Sequence, residues 1–468
     1  MVLVIYGSLI TPQDPYVASY LPQALLYIEN GIIQWMEEQV EPHELSSVMS
    51  AHGLEEEDID IIRLQRGQFL MPGFIDTHTH APQFPNLGRG GQYELLDWLS
   101  NLTFPTEAKF ADREHAKAVY IKVVNQLLDC GTTTCCYFSS AHVSGTEVLA
   151  DIVSRCGQRA FIGFCNMDRN APDFYLKGVN HSQSLEQTRE VISFIHSLKN
   201  PLVQPILTPR FAISCTGELM KGLSDIALEG SLRRLLIQTH IAENLTEIDV
   251  TASLFPTHTS YTHIYEERGL LGPTTILAHG CYLTSEELTS IKRAGAGISH
   301  CPTSNFHLSS GVAKVAEWLD LGIKVGLGTD VSGGFSPSIL TTIQHASIAS
   351  KLAARMSKSV STSEDEFQED SPNDLSLKTA LTNANLLHLA TLGGAQLCNL
   401  EDVTGSLETG KDFDALIVDL RPETGNPKLW WDSDNNMEDS FLPTRSKITL
   451  AFVRRARARW HRNSALHT

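Results

Sequence analysis

Four short apolar runs in this chain of 468 residues each end in a side chain able to bind a metal ion. Residues 69–75 lead into Asp76-Thr77-His78-Thr79-His80, residues 235–239 into His240, residues 275–278 into His279, and residues 323–329 into Asp330. His78 and His80 are one residue apart at the end of an extended run, so they point to the same side. Neutral imidazole is a good ligand for zinc and its first-row neighbours. Taken singly, the first motif also fits solvent-facing strand residues, and His240 or His279 fits a hydrogen-bonded core histidine. Their recurrence at the ends of successive β-type runs, separated by helix-like stretches, predicts an α/β fold of the (β/α)₈ TIM-barrel type. In such a barrel the chemistry collects on the rim where the strands end. Three or four imidazoles with one carboxylate then make a catalytic-type site for a divalent ion, with a position left for water.

The remaining barrel strands are expected at 132–138, 159–167, 203–208 and 297–300, with a helix over 113–130 ended by Gly131. Pattern alone also accommodates a doubly wound sheet. Ligands leaving several different strands favour the closed barrel, which gathers them around one axis. We divide the chain into residues 1–70, a barrel over 71–402, and residues 403–468. The first segment starts as a strand at residues 1–7, and Asn30-Gly31 between apolar runs signals a hairpin. Residues 413–419 read as a strand, and two short β segments at the chain ends suggest one small shared domain, since neither buries a core alone. The polar stretch 357–370 is expected as a surface loop. Residues 375–392 are helix-like, with Gly393-Gly394 expected as a break.

A formal net charge of −18 argues against nucleic acid as a partner, because backbone binding needs a cationic surface. The nine cysteines include no C-x-x-C pair, which fits free thiols in a reducing compartment better than a disulfide framework. The N-terminus has no basic region before its apolar run, and no apolar stretch approaches a membrane span. No membrane association and a cytoplasmic location are therefore expected. The last residues turn basic around Arg454, Arg455, Arg457, Arg459 and Arg462, without a clean amphipathic face.

Residues 71–80 resemble the opening of the metal-dependent amidohydrolase superfamily. With His78-Thr79-His80-Ala81-Pro82-Gln83-Phe84, Pro209-Arg210-Phe211, His240-Ile241-Ala242-Glu243, His279-Gly280 and His300-Cys301-Pro302-Thr303-Ser304-Asn305, the chain resembles more narrowly the guanine deaminase family. The resemblance runs over about residues 1–420 with all motifs in order. It implies a (β/α)₈ barrel with a small β-sandwich built from both chain ends, a homodimer, one zinc ion per chain, and hydrolysis of guanine to xanthine and ammonia. By motif, the metal ligands would be His78, His80, His240 and Asp330, His279 would orient the attacking water, and Glu243 would shuttle protons. Gln83, Arg210, Phe211 and His240 would contact the base. The final seventy residues fit the family less well, with Leu429-Trp430-Trp431-Asp432 where a closing β segment is expected.

Two-metal members of the superfamily bridge their ions with a carboxylated lysine at the end of the fourth strand. Here that strand leads into Pro209-Arg210, and guanidinium offers no lone pair to a metal, so a single ion is expected. Gln83 has both a donor and an acceptor for a purine edge. Arg210 can donate to the O6 carbonyl and reject adenine. Because Arg210 is assigned to the pocket, its loss is expected to spare metal content and melting temperature. The alternatives are a related amidohydrolase acting on 8-oxoguanine, cytosine or a triazine, and a non-catalytic scaffold.

Overall fold

The computed structural model describes residues 2–56, 59–229, 234–361, 380–421 and 449–453. The segment 362–370, the expected closing region at Leu429–Asp432 and the arginine-rich tail lie outside the described residues. Two compact units divide the chain, Met1–Gly73 with Leu400–Thr468, and Phe74–Asn399.

The smaller unit is a mixed sheet of seven strands among the described residues. Its order is Thr449–Val453, Ala415–Asp419, Gln68–Pro72, Val2–Pro12, Ala18–Glu29 and Ile32–Glu37, with Ile61–Arg63 also beside Val2–Pro12. The expected hairpin is present: Ala18–Glu29 pairs antiparallel with Ile32–Glu37 through Asn30 and Gly31, whose φ values of 53° and 80° suit a type I′ turn. Alternation along the strands sends Ile5, Leu9, Ala24, Leu26 and Ile28 into one apolar cluster, and Val4 and Leu25 into another with Val40, Leu45 and Met49. The sheet therefore packs apolar side chains on both faces. The C-terminal contribution is antiparallel: Ala415–Asp419 pairs with Gln68–Pro72 on one edge and with Thr449–Val453 on the other.

The larger unit is the barrel. Parallel pairing joins Phe74–His80, Thr132–Phe138, Arg159–Gly163 and Val203–Pro205 in one run, and Ile237–Ile241, Thr275–His279, Gly297–His300 and Lys324–Leu327 in another. Leu207 bridges to Ile237 between the runs. On the far side, Asp330 N donates to His78 O at 2.8 Å and His80 N to Val331 O at 3.0 Å, which closes the ring. Two expected strands are interrupted, continuing after a break as Cys165–Asn166 and Thr208–Pro209. Pro205 has no N–H to give the ladder at the second break. The expected helix, Arg113–Asp129, is capped by the Asp112 carboxylate and buries Ala116, Tyr120, Val123, Val124 and Leu127, one face at helical spacing.

Two expectations change. The helix Ile339–Ser361 runs into the start of the polar segment, and Gly393-Gly394 does not break a helix but lies inside Leu392–Leu397. The glycines are there for proximity. A Cβ on Gly394 would come within 2.8 Å of Ile75 Cβ, and one on Gly326 within 3.0 Å of Gly394 Cα, so the helix lies directly on the first and last barrel strands. All nine cysteines are free, although the Cys136 and Cys398 sulfurs are 3.5 Å apart. No helix of the described residues is long and apolar enough to cross a membrane.

Gly394→Val should therefore lower unfolding free energy by about 1–3 kcal/mol through overpacking. Chemical denaturation checks this, and an unchanged midpoint would mean the helix has room to spare there.

Candidate metal centre and active site

Barrel closure brings four potential ligands from three places in the sequence to one point. His78 and His80 end the first strand, His240 lies in the fifth, and Asp330 follows the eighth. Their ligand atoms all lie within 4.8 Å of one another, and all four residues are buried. Nε2 of His80 and Nε2 of His240 face each other at 3.2 Å, and Asp330 Oδ1 is 3.1 Å from His78 Nε2 and 3.4 Å from His80 Nε2. Nδ1 of His240 is engaged by the Arg210 carbonyl at 2.6 Å, which directs Nε2 inward. Two imidazole nitrogens aimed at each other, with buried His78 Nε2 lacking any well-formed hydrogen bond, are the arrangement a divalent cation would satisfy. The donor set of three nitrogens and one oxygen fits zinc.

The backbone at this rim is held in unusual conformations. Ala242, His279 and Asp330 have φ values of 47°, 75° and 46°, in the left-handed region that non-glycine residues seldom occupy. Such strain persists where the surroundings over-determine it, and it clusters at functional sites.

Burial pushes the pKa values of His78, His80 and His240 below the ordinary histidine value, which keeps them neutral, as ligands must be. Burial alone would raise Asp330, but the imidazole of His78, 3.1 Å away, and those of His279 and His80 hold it well below the usual carboxylate range. His279 behaves differently. Burial opposes its charge, but the carboxylates of Glu243 and Asp330, 3.4 and 3.7 Å from its Nε2, raise its pKa. Its Nδ1 lies 2.9 Å from Asn305 Oδ1. Burial lifts the Glu243 carboxyl to about 7, with His279 pulling the other way. Ser310 Oγ donates to Glu243 Oε1 at 2.8 Å, leaving Oε2 turned to His279.

A cavity of about 350 Å³, its open mouth included, faces this cluster. His80, Gln83, Arg210, Phe211, His240, Glu243 and Asp330 all line it, with Leu95, Trp98, Leu99 and Leu308 as the apolar wall. His78 and His279 sit behind, in the cluster but not on the cavity surface. The geometry thus offers a carboxyl poised near neutrality, a ligand set for a Lewis-acidic ion, and a cavity lined by the donors Gln83 and Arg210.

Several residues at the site were not singled out from sequence. Asp76, the first residue of the histidine motif, accepts from Thr329 N at 3.0 Å and Thr329 Oγ1 at 2.5 Å, pinning the eighth strand to the first. Cys301 makes a second group of potential ligands with His78 and His279. Glu107, fully buried, takes hydrogen bonds from Gln83, Arg210 and Tyr175. Its only sequence signal was an acid set among apolar residues at helical spacing, and charges are seldom buried unless paired. This pair also corrects the expectation for Arg210. Removing the guanidinium would strand a buried carboxylate, which costs about 3–5 kcal/mol, so melting temperature would fall.

The sequence model of the Amidohydrolase family matches residues 69–449. A probable guanine deaminase from Schizosaccharomyces pombe is 44% identical over 406 residues, covering 86% of this chain and 73% of that protein. A guanine deaminase from Dictyostelium discoideum is 43% identical over 405 residues, covering 85% of this chain and 84% of its own. Among solved structures, guanine deaminase from C. acetobutylicum with bound guanine in the active site superposes with a TM-score of 0.80 at 32% identity, covering 94% of this chain and 95% of that one. With the ligand cluster, the acid–base carboxyl and the barrel that carries them, the chain belongs to the amidohydrolase family and, within it, to the guanine deaminases.

Proposed function

We propose that the chain hydrolyses guanine to xanthine and ammonia, using one zinc ion held by His78, His80, His240 and Asp330, with Glu243 as proton shuttle and His279 orienting the water. The observation that carries this reading is the buried three-histidine, one-aspartate cluster opening onto the cavity beside Glu243. When bound, a divalent ion there supplies Lewis acidity, which brings the pKa of a water molecule to about 7 and makes it a nucleophile at neutral pH.

The chain's own residues do the rest. Asp330 turns Oδ1 toward His78 and His80, so Oδ2 on the His279 side is the oxygen available to accept a proton from the attacking water. Glu243 Oε1 is anchored by Ser310, so Oε2 exchanges protons. It gives one to the ring nitrogen as the water oxygen bonds to C2, is reloaded with the proton taken by Asp330 and passes that to the amine as the C2–N bond breaks, and the proton left on the oxygen returns to Glu243 as the xanthine carbonyl forms. A carboxyl held near 7 is matched to both directions of transfer at neutral pH. Arg210 donates to the O6 carbonyl, Gln83 meets the polar edge of the purine, and Phe211, its ring 6.2 Å from that of His240, walls the base. A homodimer belongs to this reading through the family resemblance alone.

Ammonia release from guanine, adenine, cytosine and 8-oxoguanine tests the assignment, with guanine expected to be turned over. Release from cytosine or 8-oxoguanine but not guanine would overturn the substrate and leave the chemistry. Metal analysis of active protein should find one tightly held ion per chain, because the fourth strand has no lysine to bridge two ions and ends in Pro209-Arg210. Two ions would refute the mononuclear site. Glu243→Gln should keep the metal and lose about 10²–10⁴-fold in turnover, since the amide retains the shape without the exchangeable proton. Near-normal turnover would remove Glu243 from its role.

A further inference from the structure

Glu107 closes the helix Phe104–Glu107, in the segment after the first barrel strand, and it is not part of the cavity lining. Its two oxygens nevertheless hold both residues assigned to the polar end of that cavity. Oε1 accepts from Gln83 Nε2 at 2.8 Å and Arg210 Nη2 at 3.2 Å, and Oε2 accepts from Arg210 Nη1 at 2.8 Å and Tyr175 Oη at 2.6 Å. Four donors fill the acceptor sites of an ionised carboxylate, so Glu107 has nothing left to offer a ligand.

What these bonds decide is the face that Arg210 and Gln83 present. Of five guanidinium N–H groups, two point to Glu107 and a third to Cys165 Sγ at 3.8 Å, leaving two for a base. The Gln83 amide is likewise held in one sense. Its nitrogen faces Glu107 and its oxygen accepts from Ser332 N at 3.2 Å, so it keeps one free N–H and one free lone pair. Phe104 supports the pair from the side, its ring 5.4 Å from the Arg210 guanidinium carbon. The fork geometry of a bidentate arginine–carboxylate pair allows little rotation.

We propose that Glu107 is the positioning residue of base recognition, locking Arg210 and Gln83 into the single donor and acceptor arrangement that selects a 6-oxo purine. This rests on the reading of Arg210 and Gln83 as base contacts given under Proposed function. A pairing that served folding alone would not need to join the two cavity-lining polar residues through one carboxylate. Glu107 therefore acts on specificity without touching substrate, and its loss should alter recognition of the 6-oxo group more than the chemistry at C2.

The test compares guanine with 2-aminopurine, which keeps the reacting amine and lacks the 6-oxo acceptor, followed as a substrate or as a competitive inhibitor. In Glu107→Gln, kcat/KM for guanine should fall about 10-fold to 100-fold, mainly through KM, while 2-aminopurine changes by less than about threefold. Metal content should stay at the parent value. Glu107→Asp keeps the charge and withdraws it by one methylene, so it should fold and show the same selective loss at smaller size. It carries the comparison if Glu107→Gln does not fold. In Arg210→Met, guanine should lose at least as much, and adding Glu107→Gln to that variant should cost less than about threefold more, because both changes break one arrangement. Equal losses for both bases, or loss of metal in the aspartate variant, would make Glu107 structural and overturn the inference. A guanine-selective loss in Arg210→Met with none in either Glu107 variant would also overturn it. No loss for guanine in Arg210→Met would instead refute Arg210 as a base contact, which is the separate failure of the underlying reading.

Discussion

Asp330 N donates to His78 O and His80 N donates to Val331 O, and around these two bonds the Asp76 carboxylate grips both the amide and the hydroxyl of Thr329. This seam between the first and last barrel strands is where residues some 250 positions apart become neighbours. The imidazoles of His78 and His80 meet the carboxylate of Asp330 only because the ring closes in this register. Slipping the register by one residue would turn every side chain to the opposite face. The close packing of Gly326 and Gly394 over the same strands belongs to the same constraint, since bulk there would push the helix off the seam.

Around that seam the buried charges are arranged in two groups with different purposes. The imidazoles and Asp330 are crowded together in a way that leaves inward-facing nitrogens without partners, an arrangement that favours a cation. Glu107, by contrast, is completely satisfied by Arg210, Gln83 and Tyr175. Glu243 stands between these extremes, with one oxygen anchored and the other facing His279, and burial leaves its carboxyl near 7. Proton traffic needs this intermediate state. A fully paired carboxylate would be too weak a base, and an isolated buried one would remain protonated.

The apolar wall of the cavity gives the polar groups their direction. Leu95, Trp98, Leu99, Phe104, Tyr175, Phe211 and Leu308 form one buried cluster that excludes water on that side. In such a setting a donor or acceptor left unpaired is costly, so a base that lacks the matching group is rejected. Specificity and stability are therefore linked at Arg210, whose guanidinium is both the proposed recognition group and one half of a buried ion pair.

Strand-and-ligand periodicity made the barrel legible from the sequence, because the rule that ligands end strands is local: each run of four to eight residues announces its own terminal histidine or aspartate. The eight expected strands, the Asn30-Gly31 hairpin and the helix starting at Arg113 are all local signals of this kind, and the structure contains each of them. Gly393-Gly394 misled for the complementary reason. A glycine pair reads locally as a break, whereas its function here is to let a helix approach Ile75. Glu107 had no motif to mark it, only its place among apolar residues at helical spacing. Its meaning comes from Gln83, Tyr175 and Arg210, which lie 24, 68 and 103 positions away. The sequence by itself determined which residues were available as ligands, acid–base group and base contacts. Only the tertiary structure decided which oxygen of Asp330 and of Glu243 turns to His279 and which N–H groups of Arg210 are taken by Glu107 and Cys165. Those choices depend on partners that chain closure, not chain order, makes adjacent.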